Sequence, residues 1–207
     1  MTETATTSAA YDQIAAEYAA RPDLDDTMDA VRRRFAARLA AGARVLDAGC
    51  GPAHDTAALR RLGLSAIGLD RSCGMLAQAR ERGLPLLLGD MRRLPVCSDS
   101  LDGLWACASF LHIPKRDGLA VLRELHRALR PGGLLFVGVK QGAGERWVEH
   151  GGHRRFFSFY QEAELDALLE AAGFAIAERW TDPDSRGRPE AWIGRLSEAV
   201  QGSQIAK

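Results

Sequence analysis

The side chains best suited to chemistry in this chain are three aspartates, Asp47, Asp70 and Asp90, and a histidine beyond them, His112. Histidine changes charge near neutrality, so His112 is a candidate to take a proton from a hydroxyl or ammonium acceptor. A ring packed under a loop and bonded to a backbone carbonyl is its alternative role. Asp47 stands two residues before Gly49-Cys50-Gly51. Glycine has no Cβ and tolerates positive φ, so a ligand can approach the backbone closely at Gly49 and Gly51. A turn from strand to helix would also present free N–H groups and a positive helix end to that ligand. An acid at Asp47 would repel a pyrophosphate and suit a cationic ligand carrying an ammonium group. Asp70 lies 21 positions beyond Gly49, where a carboxylate can accept both hydroxyls of a ribose. A helix N-cap is its other reading.

The spelling of the turn narrows the ligand. A dinucleotide loop reads G-x-G-x-x-G, and here His54 stands where the third glycine belongs. No Gly-Lys-Ser/Thr follows, so the turn is not a phosphate-cradling P-loop.

Regular alternation positions these residues. Apolar positions at Tyr11, Ile14, Ala15 and Tyr18 predict a helix over Tyr11–Ala20, after a polar, disordered stretch over residues 1–10. A second helix is predicted from Asp26 to Ala41, with a C-cap at Gly42. Strands are then predicted at Arg44–Ala48, Ser65–Asp70, Pro85–Leu88, Leu101–Ala106 and Leu134–Lys140, with helices at Asp55–Leu62, Gly74–Glu81 and Arg116–Leu129. Strands alternating with helices give a parallel sheet covered on both faces. A Gly-rich connection over Gly142–Gly152 leads to a helix at Gln161–Ala172. Two closing strands, Phe174–Thr181 and Pro189–Arg195, are predicted to pair antiparallel.

Four ordered segments carry a family resemblance. Val45-Leu46-Asp47-Ala48-Gly49-Cys50-Gly51-Pro52 resembles motif I of the class I S-adenosylmethionine-dependent methyltransferases, and Ile67-Gly68-Leu69-Asp70 resembles their second motif. Leu88-Gly89-Asp90-Met91 resembles the segment whose acid bonds the adenine amino group, and Leu129-Arg130-Pro131-Gly132-Gly133 a later structural motif. The resemblance covers Tyr11 to Leu196. It implies a Rossmann-like α/β fold with a seven-stranded sheet, order 3-2-1-4-5-7-6, strand seven antiparallel, and an N-terminal helical cap. The implied layout is one domain over residues 11–200, with the cap at 11–42 and the core at 43–200. Cofactor contacts are implied at Asp47, Gly49, Cys50, Gly51, Asp70, Arg71, Asp90, Met91 and Ala108. A gate helix is implied to add Tyr11, Tyr18 and Arg21. Tyr11, His112, Lys140, Arg154 and Arg155 are expected to meet the acceptor, the arginines as a cationic anchor for a carboxylate, with loop packing by solvated arginines as their alternative role. The Asn/Asp-Pro-Pro-aromatic tetrad of enzymes that methylate base exocyclic nitrogens does not occur in Ala108–Pro114.

The implied activity is methyl transfer from S-adenosylmethionine, leaving S-adenosylhomocysteine, to an N, O or C nucleophile of a small molecule or short peptide. No metal is required. A cofactor-binding protein without catalysis stays open, as does, more weakly, a nicotinamide-dependent oxidoreductase. Composition bounds the rest. The 207 residues suit one domain with a sizeable core. Basic and acidic residues balance at 27 each, so no overall field draws the chain to nucleic acid or acidic lipid. The four cysteines lack metal-ligand spacing and are expected to be buried reduced thiols. Residues 1–10 do not read as a signal peptide, and no run reaches the ~20 apolar residues of a membrane span. A cytoplasmic monomer or homodimer is expected.

Overall fold

Strand β1, Arg44–Ala48, is buried at four of its five positions. It is buried because it pairs in parallel on both sides, with β2 (Ser65–Asp70) and β4 (Leu101–Cys107). The computed structural model describes residues 2–20, 26–184 and 189–200. Around β1 it builds a seven-stranded sheet. β3 (Leu86–Leu88) lies outside β2, β5 (Leu129–Lys140) lies beside β4, and then come β9 (Trp192–Ala199) and β8 (Phe174–Asp182). β9 runs antiparallel to both of its neighbours, which closes the sheet in the expected 3-2-1-4-5-7-6 order.

The pleat sorts side chains to two cores. Leu46, Leu104 and Leu135 face one side with α5 (Lys115–Ala128) and α6 (Glu162–Ala171). Their neighbours Val45, Trp105 and Phe136 face the other, under α2 (Asp26–Ala37) and α3 (His54–Arg61). α4 (Cys73–Arg80) completes that second face over Cys50 and Leu86.

Four segments depart from the pattern. α1 spans Glu3–Ala19, so residues expected to be disordered form its first turns. The Thr2 side chain caps it by accepting from the Ala5 N–H, and Thr7 accepts the Phe156 N–H at 2.9 Å. Those tertiary contacts are invisible in a polar composition. The Gly-rich connection folds into a hairpin of β6 (Glu145–His150) and β7 (His153–Ser158). Gly151 and Gly152 turn it with φ of 59° and 77°, which suits a two-residue hairpin loop. β9 starts at Trp192, and α2 ends at Ala37 instead of Ala41. Of the cysteines, Cys50 is buried and Cys107 half-buried, but Cys73 and Cys97 are exposed, because each sits where an element begins or a loop turns outward.

Candidate active site

The turn after β1 is wedged between the ends of β2 and β4. The Gly49 and Cys50 N–H groups both donate to the Leu69 carbonyl, at 2.7 and 3.0 Å. Gly49 has φ of 86°, and a Cβ there would stand 2.3 Å from the Ser109 Cβ. Ser109 is itself fixed by donating to the Ala48 carbonyl at 2.6 Å. Only glycine fits. At Gly51 an added Cβ would meet nothing closer than the Met75 sulfur at 4.0 Å, so this side of the turn is open.

Asp70 ties the turn to the next helix. Its Oδ2 accepts the Gly51 N–H and its Oδ1 the Ser72 N–H, both at 2.8 Å. Burial pushes its carboxyl up, and those N–H donors act against it. A carboxylate has about four acceptor sites, so roughly two remain after these bonds. Asp47 does not share the cavity. It is 2% exposed behind the turn, where it accepts the Thr56 hydroxyl at 2.6 Å. Burial, with the charge of Asp55, pushes its carboxyl well up. It supports the turn from beneath.

Asp90, past β3, is clamped by Arg71 at 2.7 Å and by Arg92, whose nearest nitrogen lies at 2.6 Å. Burial opposes ionisation there, but the Arg92 hydrogen bonds and the charges of both arginines outweigh it and hold the carboxyl below its usual range. Met91 beside it is buried and faces the cavity.

α1 closes over these loops. Asp12 accepts the Ser72 hydroxyl at 2.6 Å and the Gly74 N–H at 2.8 Å, pinning α1 to the start of α4. This docking presents Tyr11, whose hydroxyl lies 2.7 Å from His112 Nε2. The other ring nitrogen, Nδ1, lies 2.7 Å from the Phe156 carbonyl. A carbonyl only accepts, so Nδ1 carries the hydrogen and Nε2 accepts from Tyr11. Burial pushes His112 down from 6.5 to about 4, with help from the charge of Arg155. Burial also pushes the Tyr11 hydroxyl upward. Tyr18 meets Tyr11 edge to face with centroids 5.8 Å apart.

Arg155 reaches in from β7, its nearest nitrogen 3.4 Å from the Tyr11 oxygen and its guanidinium 5.4 Å from the Tyr11 ring. Among the described residues it has no carboxylate partner, and its Nε is buried without a hydrogen bond. Lys140, at the end of β5, also lines the cavity but is buried against Asp184 at 2.5 Å. Arg154 does not line the cavity; it stacks on Trp147 at 4.2 Å on the outer face of the hairpin. Arg21 lies outside the described residues.

The cavity measures about 490 Å³ and is lined by Gly49, Cys50, Gly51, Asp70, Asp90 and Ala108 together with Tyr11, Tyr18, Arg71, Met91, His112, Lys140 and Arg155. Sequence reasoning missed Arg92, Ser109 and Asp12, whose roles depend on contacts between segments distant in the chain. It also missed Trp180 and Trp192, which line the far side. Tyr160, Trp105 and Trp147 do not line it.

The sheet order, the glycine turn after β1 and the acid ending β2 define a class I methyltransferase fold. Residues 45–133 match a methyltransferase domain. The chain thus carries a methyltransferase-domain match over these residues within a class I methyltransferase-like fold. It is 34% identical over 172 residues to malonyl-[acyl-carrier protein] O-methyltransferase of Dechloromonas aromatica, covering 77% of this chain and 64% of that protein. It is 36% identical over 104 residues to demethylmenaquinone methyltransferase of Mycobacterium tuberculosis, covering 50% and 44%. The chain thus spans less than two thirds of the length of these curated relatives. The crystal structure of Burkholderia thailandensis 1,6-didemethyltoxoflavin-N1-methyltransferase, with bound 1,6-didemethyltoxoflavin and S-adenosylhomocysteine, superposes with a TM-score of 0.67 at 23% identity. That likeness covers 84% of this chain and 80% of that one. Among the described residues no helix is long and apolar enough to cross a membrane.

Proposed function

We propose that this chain transfers a methyl group from S-adenosylmethionine to an anionic oxygen, most simply a carboxylate, on a small molecule or short peptide. The residues fit the cofactor. Asp70 keeps about two acceptor sites for a ribose, and Gly51 leaves the turn open to the cavity. Asp90 and Met91 would flank the adenine, with Tyr11 and Tyr18 over the sulfonium end. When bound, the cofactor supplies a sulfonium-activated methyl group. The chain's own work is to hold the acceptor in line and exclude water.

The observation that carries the acceptor class is Arg155 beside Tyr11 and His112. A base with a pKa of about 4 is weak at neutral pH, and here its lone pair already receives the Tyr11 hydroxyl. This pair is poorly suited to deprotonating an amine or alcohol. An acid needs no base, and Arg155 offers a cation that has no carboxylate partner among the described residues. On this reading His112 orients Tyr11, and Tyr11 touches the acceptor. The domain match and the curated O-methyltransferase relative support the same reaction class.

The test is a screen of small carboxylic acids read by S-adenosylhomocysteine release. With an acid that turns over, Arg155→Ala should raise KM at least tenfold, with S-adenosylhomocysteine affinity unchanged. An unchanged KM, or turnover confined to amines, would rule out this acceptor class.

A further inference from the structure

The cavity does not end at Tyr11 and Arg155. It continues past Cys107 across the ends of β5 and β9, beneath the first turns of α2. On the sheet side of this arm Gly138 and Gly194 are direct partners across the β5–β9 pair. Two glycines side by side take the side-chain layer away from the strand surface. A Cβ on Gly194 would lie 2.2 Å from the Trp180 ring, so that indole rests against bare backbone. Trp180 is also parallel to Phe136, at 8° with centroids 5.7 Å apart. Met28 and Val31 of α2 supply an apolar wall, and Trp192 borders the arm near the end of β5.

The arginine and lysine bordering this arm are committed elsewhere, and Asp182, at the end of β8, is an acid that also lines it among the described residues. Arg32 is paired to Asp29 and Asp55, and Lys140 to Asp184. Asp55 also accepts the Trp105 indole N–H at 2.9 Å. Neutralised ions beside aromatic and thioether surface make a region that rewards burial of apolar area rather than a second charge. Concave sites of this kind, with few free polar groups, hold apolar ligands.

We infer that this arm seats an aromatic ring system carried by the acceptor, with its acidic group directed back toward Arg155. This rests on the carboxylate reading above and adds the acceptor's body to it. Short aliphatic acids would leave the arm unfilled and bind weakly. Aromatic acids would fill the space between Met28, Val31 and the Trp180 indole that the paired glycines seat against the sheet.

The probes are 2-naphthoate and acetate, titrated calorimetrically into protein saturated with S-adenosylhomocysteine, whose own binding is measured first. The expected result is naphthoate binding at least tenfold tighter than acetate. Met28→Trp, which fills the arm from α2, should weaken naphthoate at least tenfold and leave S-adenosylhomocysteine affinity unchanged. If that variant does not fold, Gly138→Ala serves instead, since its Cβ would meet Phe136 at 3.2 Å and Cys107 at 3.6 Å and thicken the floor. Naphthoate no tighter than acetate, or equally tight in the folded filling variant, would overturn the arm's assignment. Loss of S-adenosylhomocysteine binding in the unmodified protein would instead overturn the cofactor reading.

Discussion

The hydroxyl of Tyr11 lies 2.7 Å from Nε2 of His112, joining the first helix to the loop after β4. The contact makes both residues parts of one unit. Tyr11→Phe leaves Nε2 buried without a donor, and an orphaned buried acceptor costs about 1–3 kcal/mol. The variant should therefore unfold at lower urea and lose turnover together. Loss of turnover with unchanged stability would mean the bond does not hold α1 in place.

His112 should make stability depend on pH. In the unfolded chain it titrates near 6.5, and in the native protein near 4. Between those values the unfolded state binds a proton that the native state does not. Stability therefore rises with pH through this window, by roughly 3 kcal/mol, and His112 contributes no further slope above it. Urea unfolding at pH 4.5 and pH 7 should show a smaller difference for His112→Gln than for the unmodified protein. Equal differences would place the native His112 near its ordinary pKa.

Gly49 should be intolerant of any side chain. Its left-handed φ and the 2.3 Å approach to Ser109 act together, so Gly49→Ala should destabilise by about 3 kcal/mol or more. Thermal unfolding checks this, with Gly51→Ala as the comparison. Gly51 shares the left-handed φ, at 53°, but its added Cβ meets open space, so Gly51→Ala should cost less stability than Gly49→Ala and perturb cofactor affinity. Equal melting temperatures for the Gly49 variant and the unmodified protein would contradict the observed packing.

Much of this architecture was legible in the chain. Strands at Arg44–Ala48 and Ser65–Asp70 begin and end where their apolar runs do, because strands buried on both faces carry continuous hydrophobic signals. The acid ending β2 and the glycine turn were readable for the same reason: their backbone context is local. The β6–β7 hairpin was not. Its strands mix arginines with aromatic residues without alternation, and the cations stack on rings, Arg146 on Phe159 and Arg154 on Trp147, so the polarity reads as loop. The extension of α1 to Glu3 rests on Thr7 meeting Phe156, 149 residues away. Asp47 was legible as an acid at a strand end, but its turning inward to Thr56 depends on α3.

Lys140 should matter for stability more than for binding. Its ammonium and the Asp184 carboxylate are almost fully buried together. Lys140→Met removes the ammonium facing the buried Asp184 carboxylate, which keeps the Trp192 indole N–H at 2.8 Å, and loss of one member of a buried pair costs about 3–5 kcal/mol. The double variant Lys140→Met/Asp184→Asn should recover much of that loss in urea unfolding. A single variant as stable as the unmodified protein would show that the pair is not a buried structural element.

The most direct measurement is calorimetric titration of S-adenosylmethionine and S-adenosylhomocysteine into the unmodified protein and Asp70→Ala, with NADH as control. Micromolar binding of both sulfur ligands, at least tenfold weaker in the folded Asp70→Ala variant, with no heat from NADH, is the predicted result. Binding of NADH in their place, or sulfur-ligand affinity untouched by loss of Asp70, would contradict a methyltransferase cofactor site at the β1 turn.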